Sequence, residues 1–299
     1  MFKPEEYLRP EVVRQVQRLD LQAKFIAQGF LAGLHDSPYR GFSMEFSEHR
    51  RYSAGDDPKT IDWNVWAKSD RIYCKTFHAE TSLAAYLVVD TSRSMAFAAR
   101  EGDMTKLEYA TVLAAALGYL MTRQQDALGL CLVGTGLNRF VKPRASRRHL
   151  VRLLTELARA RGEGKTALAP SLVAVARRVK RKSLMLILSD LVDDPEPVWA
   201  AIKHLLIAGH DVVVFHILDA AERRLNFSGP VILEDPETGQ TVSTDADHIR
   251  ADYTRRIEEF IRDHELNIRK IGGDFVSMTT DMPFDKALSK FLTERKRQF

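Results

Sequence analysis

Cysteine is scarce: there are two in 299 residues, Cys74 and Cys131, far apart in the chain. That excludes a disulfide framework and a cysteine-based zinc site. Cys131 falls inside the apolar run 127–133 and reads as a small core residue. Long hydrophobic runs are missing too. No stretch stays apolar for the roughly 20 residues that a bilayer-spanning helix needs. Residues 1–6 carry no basic-then-apolar signal layout. The expectation is a soluble, cytoplasmic chain in a reducing compartment. Charge of one sign is not in large excess either: 44 basic against 40 acidic residues leave +4. Basic residues do gather at Arg144, Arg147 and Arg148, at Arg177, Arg178, Lys180, Arg181 and Lys182, and at Arg295, Lys296 and Arg297. No aromatic residues interleave them, so they read as solvated helix faces and helix C-termini, and nucleic acid is not an expected partner. Internal repeats and low-complexity tracts are lacking as well.

What remains is an ordinary globular composition, long enough to bury a large core without staples. Apolar spacing predicts a helix near 10–34, then short strands and turns over 41–78. From there the pattern alternates. Short, apolar strands are predicted at 83–89, 127–133 and 184–188, further strands at 212–218 and 274–278, and an edge strand near 138–141. Helices are predicted at 106–124, 147–160, 168–180, 197–208, 248–264 and 284–297. This rhythm implies an α/β fold with a doubly wound, mostly parallel sheet covered on both faces. The segment 226–245 breaks the rhythm and reads as a hairpin. It is expected to leave the α/β core, which spans 81–299, and to join the strands around 42–77 in a small β subdomain within residues 1–80.

In such sheets ligands bind at the carboxyl ends of the strands, where the strand order reverses. The first core strand leads into Asp90-x-Ser92-x-Ser94, the third into Ser189 and Asp190, and a loop at 162–170 carries Thr166 ahead of a helix. Three hydroxyls and two carboxylates suit a hard divalent cation, Mg²⁺ before Mn²⁺ or Ca²⁺, held by oxygen with few direct charges. An ion so ligated stays electrophilic and has room for a carboxylate from a partner. The competing reading makes Asp90 and Ser92 helix caps and loop hydrogen bonders.

These residues carry a resemblance. Asp90, Ser92, Ser94, Thr166 and Asp190 look like the metal-ion-dependent adhesion site of von Willebrand factor A domains. The segment Arg51-Tyr-Ser-Ala-Gly-Asp-Asp-Pro-Lys-Thr-Ile-Asp-Trp63, with residues 88–95 and 279–284, resembles the bacterial family called domain of unknown function 58. The resemblance covers nearly the whole chain; within it, Ser53 stands where a bulkier or amide residue is expected. It implies a Rossmann-type, von Willebrand factor A-like fold and a non-enzymatic adaptor. The implied partner is a MoxR-type AAA+ ATPase or its client, engaged through an acidic side chain. Some relatives carry N-terminal membrane helices, and no such span is expected here.

Rival chemistries fit less well. A haloacid dehalogenase-type phosphohydrolase needs a general acid two residues after its aspartate, and that position is Ser92. Gly162-Glu-Gly-Lys-Thr166 suggests a phosphate loop, but position 159 is Arg and a predicted helix precedes it. Asp56, Asp57 and Asp62, with Arg50, Arg51 and Trp63, read as a capped turn with an internal ion pair or, alternatively, as a functional surface. Asp193 and Asp194 read as caps for the next helix or as a negative rim to the site. The nine histidines show no metal-ligand spacing.

Overall fold

The computed structural model describes residues 18–21, 50–51, 73–74, 84–284 and 286. The chain divides into two units, one of residues 33–82 and one of residues 1–32 with 83–299. In the smaller unit, two-residue strands β1 (Arg50–Arg51) and β2 (Tyr73–Cys74) pair antiparallel. The acidic turn at 56–62 and most of the predicted helices at 10–34 and 284–297 lie outside the described residues.

The larger unit begins its sheet with β3 (Ala84–Asp90), followed by α1 (Lys106–Arg123), β4 (Leu128–Val133) and β5 (Leu137–Arg144). Helices α2 (Arg147–Arg159) and α3 (Leu168–Arg178) lead to β6 (Ser183–Ser189). Then come α4 (Pro195–Ile207), β7 (Asp211–Leu218) and a short α5 (Ala220–Arg224). The hairpin β8 (Pro230–Glu234) and β9 (Thr241–Asp245) precedes α6 (Ala246–Lys270) and β10 (Asp274–Thr279).

Six strands form one sheet in the order β10-β7-β6-β3-β4-β5, all parallel except the antiparallel edge β5. The central strands lack polar alternation because both faces are covered; β4 and β6 are buried throughout. Alternate side chains divide between the two faces. Tyr86, Val88, Cys131, Met185, Ile187 and Val214 join one cluster with Leu172, Val198, Ile202 and Ile268 of α3, α4 and α6. On α1, Gly118 lies against Leu87, Leu128 and Leu150, where a Cβ would stand 3.0 Å from the Leu128 side chain. The edge strand β5 is largely exposed, and its one fully buried residue is Val141.

From β3 the chain runs outward to β4 and β5, then returns through α2 and α3 to β6 on the other side of β3. The strand order therefore reverses at β3, and the crevice between the carboxyl ends of β3 and β6 is where a ligand site belongs. The expected doubly wound, mostly parallel architecture is the one observed.

Several elements differ from expectation. Helix α4 starts two residues early because Pro195 and Pro197 both fit a first turn, where no amide hydrogen is needed. Helix α6 extends to Lys270, well past 264. The short α5 was missed, although Asp219 and Glu222 spell its capping box. The hairpin exists near the expected place, and β8 and β9 pair with each other. Its predicted partners around 42–77 lie mostly outside the described residues. Among the described residues, no helix is long and apolar enough to cross a membrane.

Candidate metal centre

Asp90 is the last residue of β3 and is almost wholly buried. Its Oδ1 accepts the Ser92 amide hydrogen at 2.9 Å, and its Oδ2 accepts the Ser189 hydroxyl at 2.6 Å. The latter bond ties the end of β3 to the end of β6 across the switch point. Ser92 then opens a 3-10 turn, Arg93–Ala96. It occupies the N-cap position but makes no capping bond; its hydroxyl lies 3.0 Å from that of Ser94. The capping reading therefore fails for Ser92, while the Asp90 bond to the Ser92 amide is the loop hydrogen bond that reading foresaw. Burial, reinforced by the negative charge of Asp190, pushes the Asp90 carboxyl up to about 6, against the bonds from Ser189 and Ser92.

Asp190 follows β6 and is fully buried. Its Oδ1 accepts the Val192 amide at 3.3 Å. Its Oδ2 accepts Lys106 Nζ at 2.8 Å, and the same ammonium donates to Glu222 at 2.6 Å. Burial alone would favour neutral Lys106, but attraction to Asp190 and Glu222 outweighs it and holds the ammonium charged. Sequence reasoning missed both Lys106 and Glu222. One signal existed: a lysine in the first turn of a helix opposes the macrodipole and needs another reason to be there. His216 completes this side. Its Nε2 lies 3.0 Å from the Asp190 carbonyl oxygen, so Nε2 carries the hydrogen, and burial pushes its pKa down to about 3. The ring is a neutral brace for the Asp190 backbone. Leu191, at φ 56°, takes the left-handed conformation directly after Asp190.

Thr166 comes from the loop between α2 and α3. That loop is stitched to the first motif by two backbone bonds, Glu163 N–H to the Thr91 carbonyl and Arg93 N–H to the Gly164 carbonyl, both at 3.0 Å. Gly162 permits this approach: a Cβ there would stand 2.6 Å from the Ala96 Cβ. Asp193 locks the loop from below, accepting the Leu168 amide at 2.8 Å. It thus caps α3, a helix earlier in the chain, and not the following α4 as expected. Asp194 holds the N-cap position of α4 without a side-chain bond.

Thr166 itself faces an unforeseen partner. Its amide lies 3.0 Å from both carboxylate oxygens of Glu237, and its hydroxyl donates to the same group. Glu237 sits in the turn joining β8 to β9.

Four of the five predicted residues, Asp90, Ser92, Ser94 and Asp190, thus converge in one buried cluster. Thr166 stands in the adjoining loop, engaged by Glu237. Among the described residues no three His, Cys, Asp or Glu side chains gather as a metal site. Any ion here would rest on hydroxyls plus two acids. That donor set fits a hard cation: Lys106 balances Asp190, while Asp90 is buried with no cationic partner among its bonds.

A family profile described as "Protein of unknown function DUF58" matches residues 48–262. Uncharacterized proteins of Mycobacterium bovis and Mycobacterium tuberculosis are each 27% identical over 292 residues, covering 96% of this chain and 91% of theirs. Among solved structures, the conserved hypothetical protein BatB of Bacteroides thetaiotaomicron is 13% identical, covering 72% of this chain and 99% of its own at a TM-score of 0.43. The SpRpn10 VWA domain is 11% identical, covering 70% and 94% at 0.39.

Proposed function

This chain belongs to the DUF58 family of proteins of unknown function, and on that premise we propose that it is a non-enzymatic protein-binding adaptor whose contact depends on a divalent cation. The observation that carries the reading is the convergence of Asp90, Ser92, Ser94 and Asp190 at the switch point of a von Willebrand factor A-like sheet. Ser92, Ser94 and Thr166 would offer hydroxyls to Mg²⁺, or to Mn²⁺ or Ca²⁺, and Asp90 and Asp190 would offer charge. Bound there, the cation supplies a Lewis-acidic position for a carboxylate of the partner. Ser189 and His216 orient the two acids, and Lys106 keeps their summed charge from repelling. The family resemblance supports a MoxR-type AAA+ ATPase, or its client, as that partner.

The phosphohydrolase alternative gains nothing. Ser92 cannot protonate a leaving group.

Calorimetry with Mg²⁺ and Mn²⁺ on wild type and Asp90→Ala tests the reading, with folding followed by circular dichroism. Binding by the wild type and its loss in the folded variant is the expected result. Equal affinity in the two proteins overturns it. Pull-down from native extract, with and without chelator, then asks whether an ATPase is retained only with metal.

A further inference from the structure

The turn between β8 and β9 is built to present one side chain. Asp235 organises it: its Oδ1 accepts the Glu237 amide at 2.8 Å and its Oδ2 accepts the Thr238 hydroxyl at 2.6 Å. Its backbone exchanges bonds with Gln240 and Gly239 at 2.9 and 2.8 Å, and Gly239 supplies the positive φ that closes the loop. Residues 234–240 are exposed except Glu237, which is half-buried against Thr166. A second contact holds the tip over the same rim. Arg93, which lies between Ser92 and Ser94 in the first motif, donates from Nη1 to the Pro236 carbonyl at 3.4 Å. The hairpin tip thus reaches both the motif and the Thr166 loop, 71 and more positions away in sequence.

We propose that Glu237 is a resident carboxylate ligand of this site, occupying in the free chain the position that an acidic side chain of the partner takes on binding. The proposal rests on the adaptor reading and deepens it. The site accepts a carboxylate presented on an extended turn, and the partner must displace the chain's own. Two consequences follow. The hairpin sets a threshold, because binding is weakened by the fraction of molecules in which the tip is closed. The Asp-Pro-Glu-Thr-Gly turn also displays the shape of segment that the site takes. A purely structural pin between hairpin and loop has neither consequence.

The experiment uses the full chain and a labelled, end-blocked peptide of residues 233–241, with a second peptide bearing Gln at the position of Glu237. Binding is read by fluorescence anisotropy, with Mn²⁺ and with chelator, for wild type, Glu237→Ala, Glu237→Gln and the exposed control Glu234→Gln. If the tip is closed in nine molecules of ten, opening it strengthens binding about tenfold. Both Glu237 variants are expected to bind the acidic peptide at least about tenfold more tightly than wild type. Glu234→Gln is expected to match wild type, and the Gln peptide to bind none of them. Equal binding by wild type and both Glu237 variants, or no binding by any, overturns the proposal. The metal arm separates the two readings. A gain with Mn²⁺ alone supports both. A gain that persists in chelator keeps the resident ligand and removes the cation. Mn²⁺ binding without any gain removes the resident ligand and keeps the cation.

Discussion

At the scale of single residues, the site turns on charge balance among buried acids. Lys106 is the pivot. It joins fully buried Asp190 to Glu222, whose side chain is 24% exposed, so removing it strands Asp190 in the interior and leaves Glu222 unpaired at its edge. Breaking a buried ion pair from one side costs about 3–5 kcal/mol. Lys106→Met is accordingly expected to lose stability of that order in urea unfolding, far more than a surface lysine. The buried histidines carry a pH signature. His264 accepts the Trp199 indole hydrogen at 3.1 Å and packs against Phe260 and His216; burial pushes its pKa down to about 4, although Asp263 pulls the other way. A depressed histidine pKa means that the unfolded chain takes up the proton first. Its contribution is therefore complete above about pH 6.5 and declines as pH falls toward 4. The stability of wild type should drop across that window by up to about 1.4 kcal/mol per pH unit for this group. His264→Gln should flatten the slope by a comparable amount; an identical slope in the variant would count against the assignment. Of these groups only Asp190 stood out in the sequence. Asp90, Ser92 and Ser94 did as well, because position and two-residue spacing after an apolar strand are local signals. Lys106, Glu222 and Glu237 reach the site from 84, 116 and 71 positions away from their bonding partners, and no local pattern records that.

At the scale of elements, the hydroxyl cluster depends on a loop that has no regular structure of its own. The loop before α3 is held by two backbone bonds to the first motif and by Asp193 at the N-terminus of α3. Gly162 is a point of close approach, and its Cα hydrogen cannot be replaced by a methyl group without moving Ala96 or its backbone. Gly162→Ala is expected to push the Thr166 loop away from Ser92 and Ser94 and to weaken Mn²⁺ binding at least about tenfold, since roughly 1.4 kcal/mol of misplacement suffices for that. The far-ultraviolet circular dichroism should stay unchanged. Retained Mn²⁺ affinity would mean that the loop does not belong to the site. Regular elements behaved differently: helices and strands were legible within a few residues, since burial on one or both faces writes a period into the sequence. The exceptions have local causes, such as two prolines in one first turn and a five-residue helix too short to show periodicity.

At the scale of the whole molecule, the sheet order puts the two acids together. Asp90 and Asp190 are a hundred residues apart, yet β3 and β6 are hydrogen-bonded neighbours whose strands both end at the crevice. A ligand that binds only the folded chain must stabilise it. At a Mg²⁺ concentration a hundredfold above Kd the gain is about 2.7 kcal/mol, or of order 5–10 °C in Tm for a unit of this size. Wild type should show that shift and Asp90→Ala should not; a shift common to both would place the cation elsewhere. By itself the sequence determined the alternation of buried strands and helices, hence the α/β class, and the Asp-x-Ser-x-Ser turn, because both are written in neighbours along the chain. Only the tertiary structure decided that Ser189 bridges the two strands, that Lys106 neutralises Asp190, that Asp193 caps an earlier helix, and that Glu237 lies on Thr166. Those are contacts between segments whose separation in sequence is set by the winding of the sheet, and the free energy that selects them comes from burying the whole core at once.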